Sequence, residues 1–215
     1  MRNRDLSRAF EPDYPEVGER LRARRRARGL SLRTLAERLG VSPSLISQIE
    51  RGRARPSVST LFAIATELDA SIDELLFNDE RQPVSAEPAV RPTPVQEAAT
   101  RHHIRLASGV VWERLTTVSQ PGVEFLFVVY DVGGASSPGD TYQNHSGYEW
   151  GYVISGVLEV IIGFDRYVLQ PGDAVSLDSS VPHRLANIGD TPVHAIWFVL
   201  GRDADPRVIG QPATS

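Results

Sequence analysis

The chain of 215 residues contains no cysteine, which excludes disulfides and thiolate metal sites. It also contains no lysine, a bias that base composition explains as readily as function. Its longest apolar runs, 125–130 and 195–200, are far too short to cross a bilayer. The first residues lack the apolar stretch of a signal peptide. We therefore expect a cytoplasmic protein with no membrane partner.

Net charge is −4, which argues against a nucleic-acid partner only until the chain is divided. Residues 1–78 hold 14 arginines and 11 acidic residues, a net charge of +3. Residues 79–215 hold 9 arginines and 16 acidic residues, a net charge of −7. This asymmetry suggests that the two parts have different tasks.

The composition divides the chain into five segments. The first is rich in charge without periodicity, the second has helical periodicity, the third is rich in proline, and the fourth has short apolar runs of strand length. We predict a flexible arm, a helical domain, an extended linker, an all-β domain and a tail, with these bounds: 1–15, 16–78, 79–100, 101–201 and 202–215.

The stretch from Ser31 to Gly52 reads as two short helices joined by a tight turn. Apolar residues recur at helical spacing in both halves, and Gly40 suits the end of the first helix. Ser42 suits an N-cap, followed by Pro43 at the first helical position. Similar patterns before and after this stretch predict five helices in all, over about residues 16–28, 32–39, 43–51, 58–68 and 71–77, with Ser57 as the N-cap of the fourth.

The second of these two helices carries small polar groups and one amide on its non-apolar side, which is typical of a helix that reads bases in a major groove. The pattern S-L-R-T-L-A-E-R-L-G-V-S-P-S-L-I-S-Q-I-E-R-G resembles the Cro/repressor-type (XRE family) helix-turn-helix domain. The resemblance implies phosphate contacts from Arg33 and Ser42, and backbone contacts from Arg53 and Arg55. It implies base contacts from four residues: Pro43, Ser44, Ser47 and Gln48.

Two charged residues of this domain have a structural interpretation instead. In similar domains the positions of Arg25 and Glu50 form a buried ion pair between the first and third helices. The alternative for the whole motif is a helical bundle that makes protein contacts.

The second half of the chain alternates in period two, with glycine and proline between the runs. The segments at 123–132 and 192–200 are apolar on both faces, so one face needs cover from a second sheet or a partner subunit. This pattern indicates an all-β barrel or sandwich. The predicted strands are 103–107, 110–118, 123–132, 148–154, 157–163, 166–169, 173–178, 183–188 and 192–200.

Two strings in this half, one from Gln143 to Gly156 and one from Pro171 to Asn187, resemble the two cupin motifs. The resemblance implies a double-stranded β-helix barrel, with metal ligands at 143, 145, 149 and 183. Glutamine replaces the usual histidine at Gln143, which leaves His145, Glu149 and His183 as a possible facial triad for Fe(II) or a similar ion.

We expect Gln143, His145 and Glu149 to share strand parity and to point to one side. The candidate ions are Fe, Zn, Ni and Mn, and no cofactor follows with certainty. The alternative is a hydrogen-bonded pair of His145 and Glu149 in a pocket that binds an organic ligand.

These resemblances predict a five-helix helix-turn-helix DNA-binding domain joined by a proline-rich linker to a cupin barrel. The expected function is that of a transcriptional regulator, not an enzyme. It would bind a near-palindromic double-stranded DNA operator as a homodimer and respond to a small-molecule effector. The competing hypothesis is a cupin-type non-haem iron oxygenase or epoxidase, in which the helical domain has no role in transcription.

Overall fold

The computed structural model describes residues 14–76, 93–117 and 122–201. Five helices come first within these ranges: α1 (Tyr14–Ala27), α2 (Leu32–Leu39), α3 (Pro43–Glu50), α4 (Val58–Leu68) and α5 (Ile72–Leu76). The predicted arm up to residue 13, Phe77, most of the linker and the tail from residue 202 lie outside the described residues.

Local side-chain chemistry fixes the helix ends. Ser31, Ser42 and Ser57 each accept a hydrogen bond from a backbone N–H three residues later, as N-caps do. Gly40 ends α2 with a φ of 65°, in the left-handed region that glycine tolerates. Several helix bounds differ from the predicted ones by one or two residues. Helix α1 begins at Tyr14 and ends at Ala27, α5 begins at Ile72, and α3 ends at Glu50 because Arg51 leaves the helical conformation as its cap.

Nine strands follow among the described residues. They are β1 (His103–Leu106), β2 (Val110–Arg114), β3 (Val123–Tyr130), β4 (Tyr148–Ser155), β5 (Leu158–Ile162), β6 (Asp165–Leu169), β7 (Ala174–Asp178), β8 (His183–Asn187) and β9 (Val193–Leu200). Each falls within a predicted segment or within one residue of it, except that β2 ends at Arg114, well before residue 118.

The strands form two antiparallel sheets whose inner faces enclose the barrel. The larger sheet has the order β1-β2-β3-β9-β4-β7, and the smaller has the order β6-β5-β8. Buried and more exposed residues alternate along β1, β2, β4 and β9. Leu126, Val153, Leu158 and Leu185 are almost completely buried. This is the all-β cupin-like domain that the sequence predicted, joined to the predicted helical domain.

The helical domain packs directly against the barrel. The Ser59 N–H donates to the Ser136 carbonyl at 3.1 Å, and the Ala107 N–H donates to the Pro56 carbonyl at 2.9 Å. Phe62 of α4 meets Trp112 of β2 edge-on, with ring centroids 5.9 Å apart. The buried apolar residues of the two domains consequently form one continuous cluster.

Candidate DNA-binding helix and metal centre

Helix α3 is held on the domain by its apolar side, which leaves its polar side outward. Ile46 and Ile49 are buried against the neighbouring helices. Pro43, Ser44 and Gln48 are exposed, as the sequence predicted for residues that face bases. The helix therefore presents a polar surface of the kind that fits a major groove.

Several of the predicted DNA-contact residues make hydrogen bonds within the helical domain. The Ser42 hydroxyl accepts from the Leu45 N–H at 3.1 Å, and the Gln48 amide donates to the Ser44 hydroxyl at 3.1 Å. Ser47 is only partly exposed, and its hydroxyl accepts from Arg51 at 2.7 Å. Arg51 was not among the predicted DNA contacts, although it is exposed and caps the C-terminal end of the helix that carries them.

The three predicted phosphate-contacting arginines lie at the two ends of the motif. Arg33 is exposed on α2 and pairs with Glu37 at 2.8 Å. Arg53 is exposed in the turn between α3 and α4, and Arg55 in the same turn is partly buried. Cations on both sides of a polar helix can meet phosphates on both sides of a groove.

Arg25 and Glu50 form the buried ion pair that the sequence predicted. Two hydrogen bonds join them, from Nε to Oε1 at 2.5 Å and from Nη2 to Oε2 at 2.9 Å. Arg25 also donates to the Leu30 carbonyl at 2.7 Å. The pair ties α1 to the recognition helix and leaves neither charge for DNA.

Inside the barrel, His145, Glu149 and His183 converge on a common point. The Glu149 Oε1 atom lies 2.8 Å from His145 Nε2 and 3.1 Å from His183 Nε2. The possible ligand atoms of all three residues lie within 4.8 Å of one another. Gln143 joins the cluster, because its amide nitrogen lies 3.0 Å from His183 Nε2.

Gln143, His145 and Glu149 do not lie on one side of a single strand, as the predicted strand parity required. Of the three residues, only Glu149 lies on β4. Gln143 forms an isolated bridge with His183, and His145 lies in the loop between Gln143 and β4. Gly147, with a φ of 112°, interrupts any continuous strand from residue 143 to residue 149. The expected convergence is therefore present, but loop geometry and the pairing with β8 produce it.

The surroundings of the cluster orient its ligand atoms. The His183 Nδ1–H donates to the Val181 carbonyl at 2.9 Å, which fixes the ring with Nε2 turned toward Glu149. Trp197 donates to Glu149 Oε2 at 2.6 Å and so leaves Oε1 for the imidazoles. Trp197 was not among the predicted site residues, since no local pattern links β9 to Glu149.

Burial and charge act in opposite directions on these groups. Burial favours the neutral acid of Glu149, but the adjacent imidazoles outweigh it and hold its pKa well below the ordinary value. Burial disfavours a charged His183, but the Glu149 carboxylate outweighs it and raises the pKa of that imidazole. The carboxylate is therefore ionised and attracts a positive charge.

These residues fit a divalent metal ion. Three buried atoms, Gln143 Oε1, His145 Nε2 and Glu149 Oε1, lack a hydrogen bond of good geometry. Two ligands about 2.1 Å from one ion and at right angles to each other lie about 3 Å apart, close to the two separations from Glu149 Oε1. Two imidazoles and a carboxylate are also the donor set of non-haem iron sites.

The two domains define the class of helix-turn-helix proteins with an attached cupin domain. Family models agree, because a helix-turn-helix model matches residues 21–75 and a cupin domain model matches residues 126–199. HTH-type transcriptional regulator PuuR of Escherichia coli (strain K12) is 27% identical over 172 residues, which covers 79% of this chain and 86% of the relative. SutR of the same organism, also an HTH-type transcriptional regulator, is 29% identical and covers 81% of this chain and 88% of the relative.

Transcriptional regulator ClgR of Mycobacterium tuberculosis is 35% identical over 82 residues, which covers 38% of this chain and 73% of the relative. The chain thus belongs to the helix-turn-helix transcriptional regulators, and it carries a cupin domain. Among the described residues, no helix has the combined length and apolar character that crossing a bilayer would require.

A solved structure of a regulator shows the same two-domain fold. An HTH_3 family transcriptional regulator from Vibrio cholerae superposes with a TM-score of 0.61 at 21% identity and covers 87% of this chain and 96% of that one. Hydroxypropylphosphonic acid epoxidase from S. wedmorenis aligns over 87% of this chain and 98% of that one, with a TM-score of 0.42 at 22% identity. The second superposition is too loose to bear on activity.

Proposed function

We propose that this transcriptional regulator binds a near-palindromic DNA operator as a homodimer, and that a small-molecule effector in its cupin barrel modulates this binding in the cytoplasm. The observation that carries the proposal is the exposed polar side of α3 between cationic flanks. Gln48 is the long reader, and its amide can pair with adenine in two hydrogen bonds. Arg33, Arg53 and Arg55 contact phosphates, and counterion release makes the affinity salt-dependent.

The remaining residues of α3 complete the interface. The Ser42 hydroxyl lies at the N-terminus of the helix, where the helix dipole favours a phosphate. Pro43, Ser44 and Ser47 are short, so they allow close approach of the helix and supply few direct contacts. Specificity then also depends on DNA shape and on the pairing of two half-sites.

Genome-wide mapping of bound sites tests the operator proposal. We expect a small set of promoters that share an inverted repeat, and steeply salt-dependent affinity for the recovered sequence. Binding spread evenly over the genome would contradict sequence-specific regulation. The genes beside the bound promoters would then indicate the chemical class of the effector.

A divalent metal is the second part of the proposal. His145, Glu149 and His183 would hold Fe, Zn, Ni or Mn, with Gln143 beside them. When bound, such an ion would offer open positions to oxygen-donor groups of an effector. The chain's own groups orient the ligands: the Val181 carbonyl fixes the tautomer of His183, and Trp197 fixes the carboxylate of Glu149.

Equilibrium dialysis against each of the four ions, followed by elemental analysis, tests the metal site. We expect wild-type protein to retain at least one of these ions in stoichiometric amount and His183→Ala to retain none. His194→Ala is the matched control, because His194 bonds to Ser155 outside the cluster. Equal retention by all three proteins would exclude this site. Operator affinity of His183→Ala equal to that of ion-free wild-type protein would show that the variant still folds.

The His–Glu–His donor set also supports a second candidate function, a non-haem iron oxygenase. Iron-dependent oxygen uptake with small organic acids tests it. Oxygen uptake by wild-type protein that His183→Ala abolishes, together with the absence of operator binding, would favour the enzyme over the regulator.

The homodimer is supported by an exposed apolar surface on the larger sheet. Its outward side chains from β3, β9 and β4 form what we call the aromatic face: Phe125, Phe198, Tyr148, Trp150 and Tyr152. Phe198 lies between Phe125 and Trp150, with ring centroids 6.2 Å and 5.7 Å away. A contiguous apolar surface of this kind is typical of an interface, and a second copy of this chain related by twofold symmetry would cover it.

A further inference from the structure

Helix α4 belongs to the DNA-binding domain, yet its N-terminal turn is bonded to the cupin barrel. The Ser59 N–H donates to Ser136, and Pro56, just before the helix, accepts from the Ala107 N–H. Both bonds join backbone to backbone, so side-chain motion alone cannot break them. The start of α4 is therefore fixed to the barrel at the side where β1 ends and β2 begins.

One turn further along α4, Phe62 reaches the candidate metal centre. Its ring lies parallel to the His145 imidazole, with centroids 3.8 Å apart and an interplanar angle of 5°. Both side chains are buried, and the Phe62 residue is 8% exposed. Phe62 thus covers one face of a ligand imidazole, and the helical domain closes this side of the site.

His145 is the member of the cluster that this contact can influence most. Glu149 and His183 are fixed by Trp197 and Val181 from within the barrel. His145 lies in a loop, and its Nδ1 atom makes only a long contact of 3.4 Å with the Ser146 carbonyl. Apart from the approach of its Nε2 atom to Glu149, the His145 imidazole is therefore held by the stacked ring of Phe62.

A short segment connects α4 to the recognition helix. Residues 51–57 separate the end of α3 from the start of α4, and they include the exposed Arg53. The Arg53 and Ala54 N–H groups both donate to the Gln48 carbonyl, at 2.8 Å and 3.2 Å, which stiffens the turn. A displacement of α4 would therefore move the surface that faces DNA.

We propose that Phe62 couples the occupancy of the His145–Glu149–His183 site to operator binding, because its ring is part of the wall of that site and of the DNA-binding domain. The inference rests on the proposed function, since it needs both a metal at the cluster and DNA at α3. Coupling between two binding sites is reciprocal: the ion changes operator affinity by the same factor by which the operator changes ion affinity.

The test measures both halves of this coupling. The probe is the metal ion alone, whichever of Fe, Zn, Ni and Mn the wild-type protein retains in dialysis. Calorimetry gives its affinity for the free protein and for the protein–operator complex, and a mobility-shift titration gives operator affinity with and without the ion. For wild-type protein we expect the two measurements to give one coupling factor of about fivefold or more.

Phe62→Leu removes the stacked ring but keeps an apolar side chain, and we expect its coupling factor to fall below about twofold, under the usual range. Phe164→Leu is the matched control, since the same change is made at a fully exposed position in the β5–β6 turn. Amide hydrogen exchange gives an independent measurement. The amides of Ser59 and Ala107, which bond across the domain boundary, should exchange several times faster in Phe62→Leu only.

The outcomes separate this inference from the proposed function. If wild-type protein binds neither a metal nor an operator, the proposed function fails and the coupling fails with it. If wild-type protein binds both without coupling, or if Phe62→Leu keeps the wild-type factor, the role of Phe62 alone is overturned. Loss of coupling together with faster exchange at Ser59 and Ala107 would support the proposal, whereas unchanged exchange at both amides would overturn a role of Phe62 in holding the two domains together.

Discussion

The ion pair of Arg25 and Glu50 joins α1 to the recognition helix through side chains that are only 8% and 6% exposed. Loss of one partner would leave the other charge buried without compensation, a change that costs about 3–5 kcal/mol in comparable pairs. We predict that Glu50→Ala lowers the free energy of unfolding of the helical domain by this amount. Urea titration followed by far-UV circular dichroism measures it.

Two controls distinguish the buried charge from a general loss of packing. Arg33→Ala breaks an exposed pair with Glu37 and should cost less than about 0.5 kcal/mol. The double change Arg25→Met with Glu50→Leu removes both charges, so it should recover most of the loss. Equal destabilisation by Glu50→Ala and Arg33→Ala would contradict a special role for the buried pair.

Substitution of Gln48 and substitution of Arg53 should affect DNA binding in different ways. Gln48→Ala gives up a two-bond contact with one base, so discrimination there should fall by about 1–3 kcal/mol. Arg53→Ala gives up a phosphate contact, so affinity for all sequences should fall and the salt slope should decrease by about one. Binding-site selection combined with salt titration measures both, and an unchanged preference in Gln48→Ala would refute base reading by this residue.

At the scale of elements, the ends of helices and strands were largely predictable from sequence because local chemistry sets them. Serine caps and Gly40 act within a single turn, and glycine and proline between apolar runs mark the ends of strands. The positions of β1 to β9 followed from these signals alone. The order β3-β9-β4 did not, because pairing depends on contacts between residues far apart in the chain.

The candidate metal site shows the same division between local and long-range information. The resemblance to the cupin motifs predicted His145, Glu149 and His183 as candidate ligands, and the structure places them together. Trp197 and Phe62 could not be predicted, since each reaches the site from an element remote in sequence. Gly151 shows why Trp197 fits: a Cβ atom there would lie 2.0 Å from the indole ring.

The aromatic face on β3, β9 and β4 yields a prediction about assembly. Trp150→Glu places a charge at the middle of this apolar surface, where burial against a second copy would be costly. We expect this variant to be monomeric at concentrations at which wild-type protein is dimeric, as measured by light scattering after size-exclusion chromatography. Phe164→Glu makes a similar change at an exposed turn outside the face and should stay dimeric. A dimeric Trp150→Glu would place the interface elsewhere.

At the scale of the whole molecule, the docking of α4 restricts the freedom that a proline-rich linker suggests. The two backbone bonds and the contacts of Phe62 fix each helical domain to its own barrel. In a homodimer formed through the barrels, the separation of the two recognition helices would then be set by the protein. Successive major grooves on one face of DNA lie about 34 Å apart, so half-sites should lie about 10 base pairs apart.

This rigidity predicts a strict dependence on half-site spacing. Insertion of about five base pairs turns the second half-site to the opposite face, so affinity should fall to that of one half-site. Insertion of about ten base pairs returns the second half-site to the same face of the DNA but increases the distance between the half-sites. A dimer whose helical domains are docked on the barrels should therefore bind this operator weakly as well. Phe62→Leu loosens the contact between each helical domain and its barrel. It should therefore bind the longer operator more tightly than wild-type protein does. Mobility-shift titrations on the three operators measure these affinities, and equal wild-type affinity for all of them would show that the helical domains move independently of the barrels.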